Sequence, residues 1–517
     1  MVKPYLGLRG KSLVRAMIIS VVMPSYFMLG YNNAAAGGLL ELDTFVEQFP
    51  SLDTVHTEGA KKAQNARIQG TIVALYTVGC MIGSLCCLKL GDIFGRVRTI
   101  MIGAVVTVIG SILLSSSFTL AQLPVSRLVL GIGFGCITST VPVWQSESSP
   151  AAHRGALVCL EGLFASGGLA ISQWIELGLS FTEGSINWRF PWALPILFAA
   201  WILICIPFLP DSPRWLVKKG RVEEASRILA ILADLPEGSP EVAADIQEMQ
   251  ESLAEMGKGS LLGLFRNKGD RLLNRTFLAM FATFSQQMNG AGVIGFYTTT
   301  IFAEYVGLPP LISRILSACV FTWQIVCCLV PFYTVDRFGR RVLMIIGSVG
   351  MGATFILLSA TIAYAEQSRA CAIVAASCVF IYGFFFSIGA LGVNYLYGTE
   401  VAPLSYRVPI YALSSTTLWA SNFLVVEITP IGVANLGYKF FIIFAVLNLC
   451  LILPVVYFFF PETRMQTLES LDLVFSSAKS PFHVVQNARD ISRQAWGRND
   501  VTEIGKTELS EVSQHEL

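Results

Sequence analysis

The feature that most constrains this chain is a series of long apolar runs with almost no charge. A helix needs about 20 apolar residues to cross the hydrocarbon core of a bilayer, where only helices and closed barrels satisfy their own backbone. Twelve runs meet that length, at about 15–40, 68–90, 98–117, 121–144, 156–180 and 190–209, then about 275–303, 311–334, 342–364, 371–398, 408–430 and 438–460. The reading is an all-α membrane protein of twelve transmembrane helices. Only 14% of the residues are charged, against about 25% in soluble proteins, and 36 of the 71 charged side chains fall within 210–275 and 461–517. A soluble enzyme and a disordered chain are both excluded.

The polar segments divide the rest of the chain. They predict an N-terminal arm over 1–14, a six-helix half over 15–209, a central loop over 210–274, a second six-helix half over 275–460 and a tail over 461–517. Apolar spacing from Val222 to Leu232 and from Val242 to Met256 predicts amphipathic helices in the loop, while the tail reads as polar and mostly without periodicity. The arm and the even-to-odd connections carry twelve Lys and Arg (Lys3, Arg9, Lys11, Arg15, Lys89, Arg96, Arg98, Arg154, Arg337, Arg340, Arg341 and Arg407). The opposite side has seven, which puts both termini and the loop in the cytosol. The sequon Asn274-Arg275-Thr276 then escapes glycosylation. Four basic residues precede the first apolar run, but no small-residue cleavage site follows, so this run reads as an uncleaved first helix.

Several function classes drop out on residue chemistry. A net charge of +1 gives no attraction to nucleic acid, and the four histidines lie outside the apolar runs, so no metal site or cofactor is expected. No nucleophile–base pair appears in the spans, so the chain does not read as an enzyme. The twelve cysteines include no CxxC and read as packing residues between helices.

The two halves repeat the same polar words in the same order. Gly91-Asp92-x-x-Gly95-Arg96 returns as Asp336-x-x-Gly339-Arg340, and Glu147-x-x-Pro150-x-x-x-Arg154 returns as Glu400-x-x-Pro403-x-x-x-Arg407. Pro210-Asp211-Ser212-Pro213-Arg214 after the sixth span is answered by Pro461-Glu462-Thr463-Arg464 after the twelfth. Such duplication indicates two six-helix pseudo-repeats around a central cavity that faces each side in turn. Asp92, Arg96, Glu147 and Arg154, with Asp336, Arg340, Glu400 and Arg407, are expected to form a cytosolic gate of ion pairs holding the halves together when the cavity opens outward.

These words, with Gln286-Gln287, Gly398-Thr399-Glu400-Val401-Ala402-Pro403, Asn422-Phe423-Leu424-Val425-Val426-Glu427 and Phe460-Pro461-Glu462-Thr463, make the chain resemble the fungal sugar porters of the major facilitator superfamily over about residues 20–475. The resemblance implies the major facilitator fold, a plasma-membrane location, and transport of a hexose, pentose, polyol or related small solute by alternating access. It also implies solute contacts from Gln286, Gln287, Gln324, Tyr395 and Asn422. Amides suit hydroxyls because each both donates and accepts a hydrogen bond. The chain departs from the family pattern where Gly162 and Gly292 replace amides, Tyr395 replaces a Trp and Leu418 replaces an Asn. These changes imply room for a larger or less hydroxylated ligand, and an exporter of a small fungal metabolite is the alternative reading. A nutrient sensor signalling through its tail is a weaker one.

Three residues bear on energy coupling. Proton-coupled relatives carry an Asp in the first-span Gly-Tyr-Asp motif opposite a fourth-span Arg, and this chain has Asn32 there, with Arg127 on its fourth span. Asn cannot titrate, so facilitated diffusion is expected. Glu161, the one deep carboxylate of the fifth span, is either a relocated proton site or a fixed counter-ion for Arg127.

Overall fold

In the computed structural model the chain is a bundle of helices, and no strand longer than an isolated bridge occurs among the described residues. The structure describes residue 5 and residues 7–490, apart from 36–38, 41, 149–153, 257–270, 366, 404–405, 465–467, 479 and 481. Twelve spanning segments follow one another: α1 (Gly10–Ala34), α2 (Gly59–Phe94), α3 (Arg96–Ser115), α4 (Gln122–Ser148), α5 (Arg154–Leu179) and α6 (Ile186–Phe208), then α7 (Leu272–Met288 and Ala291–Thr300), α8 (Pro310–Phe338), α9 (Arg340–Ile362), α10 (Arg369–Val401), α11 (Arg407–Leu436) and α12 (Lys439–Phe459). Among the described residues nine segments are long and apolar enough to cross a bilayer, and the other three, α5, α7 and α11, carry Glu161, the Gln286–Gln287 pair and Asn422.

The spans are apolar outside and polar or small inside, because their outer solvent is lipid. On α3, Ile102, Val105, Ile109 and Ile112 form an exposed stripe at helical spacing, while Thr99, Gly103, Thr107, Gly110 and Ser111 face inward. α4 packs on α2 and α3 and α1 packs on α5 in the first half; α7 packs on α11 and α9 on α10 in the second. The halves meet along α2 with α11 and along α5 with α8. Exchanging the halves converts one of these contacts into the other, as pseudo-twofold repeats require.

Two elements differ from the sequence reading. The seventh span is broken: Gly290 has φ +100°, and a Cβ there would come within 2.4 Å of the Phe355 ring, so only glycine fits the bend. The tail also has a helix, Leu468–Ser477, which buries Leu471, Val474 and Phe475. Arg275 at the start of α7 lies over the Phe475 ring at 4.4 Å and donates to the Leu471 carbonyl at 3.2 Å. The spacing of those three apolar residues is helical, although the polar composition around them hides it.

The central segment forms helices Pro213–Lys218, Val222–Ala233 and Pro240–Met256. Ser212 Oγ caps the first by accepting the Trp215 N–H at 3.2 Å. Arg9 joins the N-terminal arm to this segment through Asp234 at 3.2 Å. The eleven cysteines whose side chains are described are all unpaired.

Candidate functional site

The repeated polar words assemble into matching clusters at the face that carries the termini. Arg96 donates from Nε and Nη2 to the two Glu147 carboxylate oxygens at 2.9 and 3.0 Å, and approaches Asp92 at 3.8 Å. Arg340 likewise donates to Glu400 at 2.9 Å and to Asp336 at 2.8 Å. Below each arginine, a carboxylate from the third word caps the next helix. Asp211 accepts the Arg96 and Val97 N–H groups at 3.0 and 3.4 Å, and Glu462 accepts those of Arg340 and Arg341 at 2.9 and 3.2 Å. The glycines before these helices, Gly95 and Gly339, have φ +88° and +93°, and a Cβ on either would strike the capping carboxylate at 2.5 or 2.4 Å. Burial raises the Asp211 pKa, against the backbone N–H groups that hold its charged form.

These clusters correct one expectation. Among the described residues each network closes within its own half, so the pairs brace the halves instead of joining them. The side chains of Arg154 and Arg407 lie outside the described residues. What joins the halves nearer the terminal face is a cluster of hydroxyls: Ser139 on α4 donates to Ser84 on α2 at 2.8 Å, and both meet Ser415 on α11, at 3.1 and 3.3 Å. At the opposite face Lys62 pairs with Glu304 at 3.3 Å, and Thr71 donates to Glu427 at 2.9 Å.

Between these layers lies a cavity at the junction of the halves. Gln286, Gln287, Gln324, Tyr395 and Asn422 all line it, and so do Glu161, Tyr26, Tyr382 and Trp419. These four amides come from α7, α8 and α11, and the first half adds the amide of Asn33 on α1 among mostly small and apolar groups. Gln286 donates from Nε2 to the Leu391 carbonyl at 3.3 Å, which leaves its Oε1 without a partner, and Asn422 Oδ1 and Trp419 Nε1 are buried without partners as well. With Asn33 Oδ1 of α1, also buried on the lining without a partner, three acceptors and one donor are left unpaired around one space, a pattern that favours a ligand bearing hydroxyls. The departures at Gly162 and Gly292 add no room: Leu391 lies 3.4 Å from a Cβ built on the first and Val425 3.0 Å from one built on the second. The site is less polar than the family pattern and no wider at these positions.

The two deep charges are separate from each other. Glu161 is buried, and its Oε2 accepts the Tyr26 hydroxyl at 2.6 Å; Tyr395 and Tyr411 are its other titratable neighbours. Arg127 is also buried, with its guanidinium 5.3 Å from the centre of the Trp192 ring. No ion pair joins them among the described residues, so the counter-ion role for Glu161 is withdrawn. Asn32 faces Tyr76 beside Arg127 and does not line the cavity.

Sequence reasoning missed Tyr26, Tyr382 and Trp419, whose residue types are common in any apolar span. It also missed a knot at the α7 break, where Tyr382 donates to Asn289 Oδ1 at 3.1 Å and Asn448 donates to the Asn289 carbonyl at 3.2 Å. An Asn-Gly pair inside an apolar run was the available signal.

Comparison with known proteins agrees with this architecture. The family pattern described as "Sugar (and other) transporter" matches residues 17–475. The chain is 35% identical over 482 residues to the MFS-type transporter oryC of Aspergillus oryzae, covering 92% of this chain and 88% of that one. It is 32% identical over 498 residues to the sugar transporter STL1 of Saccharomyces cerevisiae, covering 94% and 86%. Among solved structures it is similar to the proton:xylose symporter XylE bound to 6-bromo-6-deoxy-D-glucose, with a TM-score of 0.76 and 23% identity over 90% of this chain and all of that one. With the family pattern spanning both six-helix halves and the cavity between them, the chain belongs to the sugar transporter family of the major facilitator superfamily.

Proposed function

We propose that this protein carries a sugar or polyol across the plasma membrane by alternating access, with the terminal face in the cytosol and the bodies 15–209 and 275–460 rocking about the cavity. The observation that carries the reading is the convergence of Gln286, Gln287, Gln324, Tyr395 and Asn422 on one cavity between the halves, with Gln286 Oε1 and Asn422 Oδ1 left unpaired. Each hydroxyl of a bound solute would satisfy such a group, and the fillers Leu391 and Val425 favour a compact solute over a bulky metabolite. The test is uptake of labelled hexoses, pentoses and polyols by transporter-deficient cells. Saturable uptake of one class, competed by its unlabelled form, is expected; uptake of none would remove the proposal.

Transport runs downhill in this reading, because Asn32 supplies no proton acceptor beside Arg127. A second reading is favoured by one observation: Glu161 faces the cavity and touches no cation among the described residues, so it is free to exchange a proton as access alternates. Vesicles with an imposed proton gradient separate the two. Downhill transport predicts no accumulation above the external concentration. Accumulation that an uncoupler abolishes, and that Glu161→Gln also abolishes while downhill exchange survives, would assign coupling to α5.

A further inference from the structure

Arg127 presents a problem that the transport cycle does not absorb. Its guanidinium is 2% exposed, no carboxylate pairs with it among the described residues, and its Nε–H has no acceptor. An uncompensated charge at this depth is costly, and such a group ordinarily meets an opposite charge, backbone carbonyls, a water-filled cavity or a ligand. Its surroundings do not supply that charge. Trp192 offers a ring face, Tyr76 a phenol and Asn32 an amide, all neutral at physiological pH.

The neighbours share a second property. The Asn32 Nδ2, the Tyr76 hydroxyl and the Trp192 Nε1 are buried and make no hydrogen bond of ordinary geometry, as is true of Arg127 Nε, although Asn32 and Cys80 flank the Tyr76 hydroxyl. Four unsatisfied groups, every one able to donate, are gathered in one part of the first half by α1, α2, α4 and α6. Buried donors ordinarily find acceptors, so a cluster that lacks them favours an acceptor from outside the chain. Above the cluster, Phe45 lies edge-on to Trp188 and Trp192 at 5.6 and 5.5 Å and closes it toward the face opposite the termini. The enclosure suits a small, readily desolvated ion better than an organic one.

We infer that Arg127, Asn32, Tyr76 and Trp192 form a binding site for one small monovalent anion, of which chloride is the representative. The anion neutralises Arg127 and accepts from the surrounding donors. Its effect reaches the solute cavity through packed rings, because Tyr76 meets Trp419 of α11 edge-on at 6.2 Å, and Trp419 lines that cavity. Occupancy of the anion site is therefore expected to strengthen the contact between α2 and α11.

The test uses purified full-length protein at constant ionic strength, with sodium gluconate replaced stepwise by sodium chloride. The wild type is expected to show a saturable rise of about 2–4 °C in unfolding midpoint. Equilibrium dialysis with radioactive chloride is expected to find one ion bound per chain. Asn32→Asp places a carboxylate beside Arg127 and is expected to abolish both responses while raising the midpoint in gluconate. Equal midpoints in the two salts together with no bound chloride in the wild type would overturn the site, without reference to any variant that fails to fold. A chloride response that persists in Asn32→Asp would also overturn it, by placing the ion elsewhere.

Discussion

Side chains on the cavity wall fall into two kinds, those that close their own hydrogen bonds and those that do not. Glu161 accepts the Tyr26 hydroxyl and closes that pair within the wall, whereas Gln286 and Asn422 each keep an unpaired oxygen beside the cavity. Truncating either leaves a bound hydroxyl unsatisfied. Gln286→Ala and Asn422→Ala are therefore expected to weaken solute affinity by about 1–3 kcal/mol, read as a rise of roughly 5- to 150-fold in the dissociation constant, with the unfolding midpoint nearly unchanged. Unchanged affinity in both would make these amides structural. The candidate amides were legible in the sequence because a Gln or Asn in an apolar span is rare enough to stand out. Tyr26 was not, since nothing in its sequence context indicates that its hydroxyl reaches Glu161 across 135 positions. The fate of the two deep charges was also out of reach, because whether Arg127 faces Glu161 depends on helix rotation, which a one-dimensional pattern does not fix.

Among the elements, α7 departs most from regular helix. Asn289 and Gly290 break it next to the Gln286–Gln287 pair, and Tyr382 of α10 and Asn448 of α12 tie the break down. The break turns the peptide groups out of the helical ladder at membrane depth, which is tolerable only where other helices satisfy them. Gly290→Ala meets both a left-handed φ and the Phe355 ring, so it is expected to cost about 1–3 kcal/mol of stability, seen as a lowered midpoint in detergent and reduced surface expression. An undisturbed midpoint would show that the bend relaxes without cost. Span number and approximate position followed from hydropathy, which measures how lipid treats a segment. Breaks and exact ends did not, because they depend on neighbours: α2 begins at Gly59, about nine residues before the apolar run, and continues as polar helix beyond the bilayer.

For the whole molecule, two internally braced halves meeting along α2 with α11 and α5 with α8 describe a two-body machine. The exposed Lys62–Glu304 pair is worth at most about 1 kcal/mol, so Lys62→Ala is expected to change the transport rate by no more than roughly fivefold. The buried hydroxyl cluster is a stronger determinant, because Ser84, Ser139 and Ser415 join the two halves away from water, toward the terminal face. Ser415→Phe puts a ring where three hydroxyls meet and is expected to hold that side open, lowering transport at least tenfold while the solute still binds. Normal transport in this variant would show that closure is set elsewhere. The duplicated architecture was legible because its capping carboxylates and arginines recur in fixed order. The partners of those charges were not, since a repeat predicts equivalent positions in each half and says nothing about whether a pair closes inside one half or between two.

The uneven lining of the cavity also bears on how the protein is made. Synthesis at about 5–20 residues per second leaves the first half in the membrane for tens of seconds before the second is complete. Its wall of the future cavity is nearly apolar, with Tyr26, Asn33 and Glu161 its main polar groups, and the Tyr26 hydroxyl already occupies Glu161. Lipid can cover such a surface during the wait. Gln286, Gln287, Gln324 and Asn422 are all translated later, when a finished partner stands ready to receive them, so these four amides spend little time facing lipid.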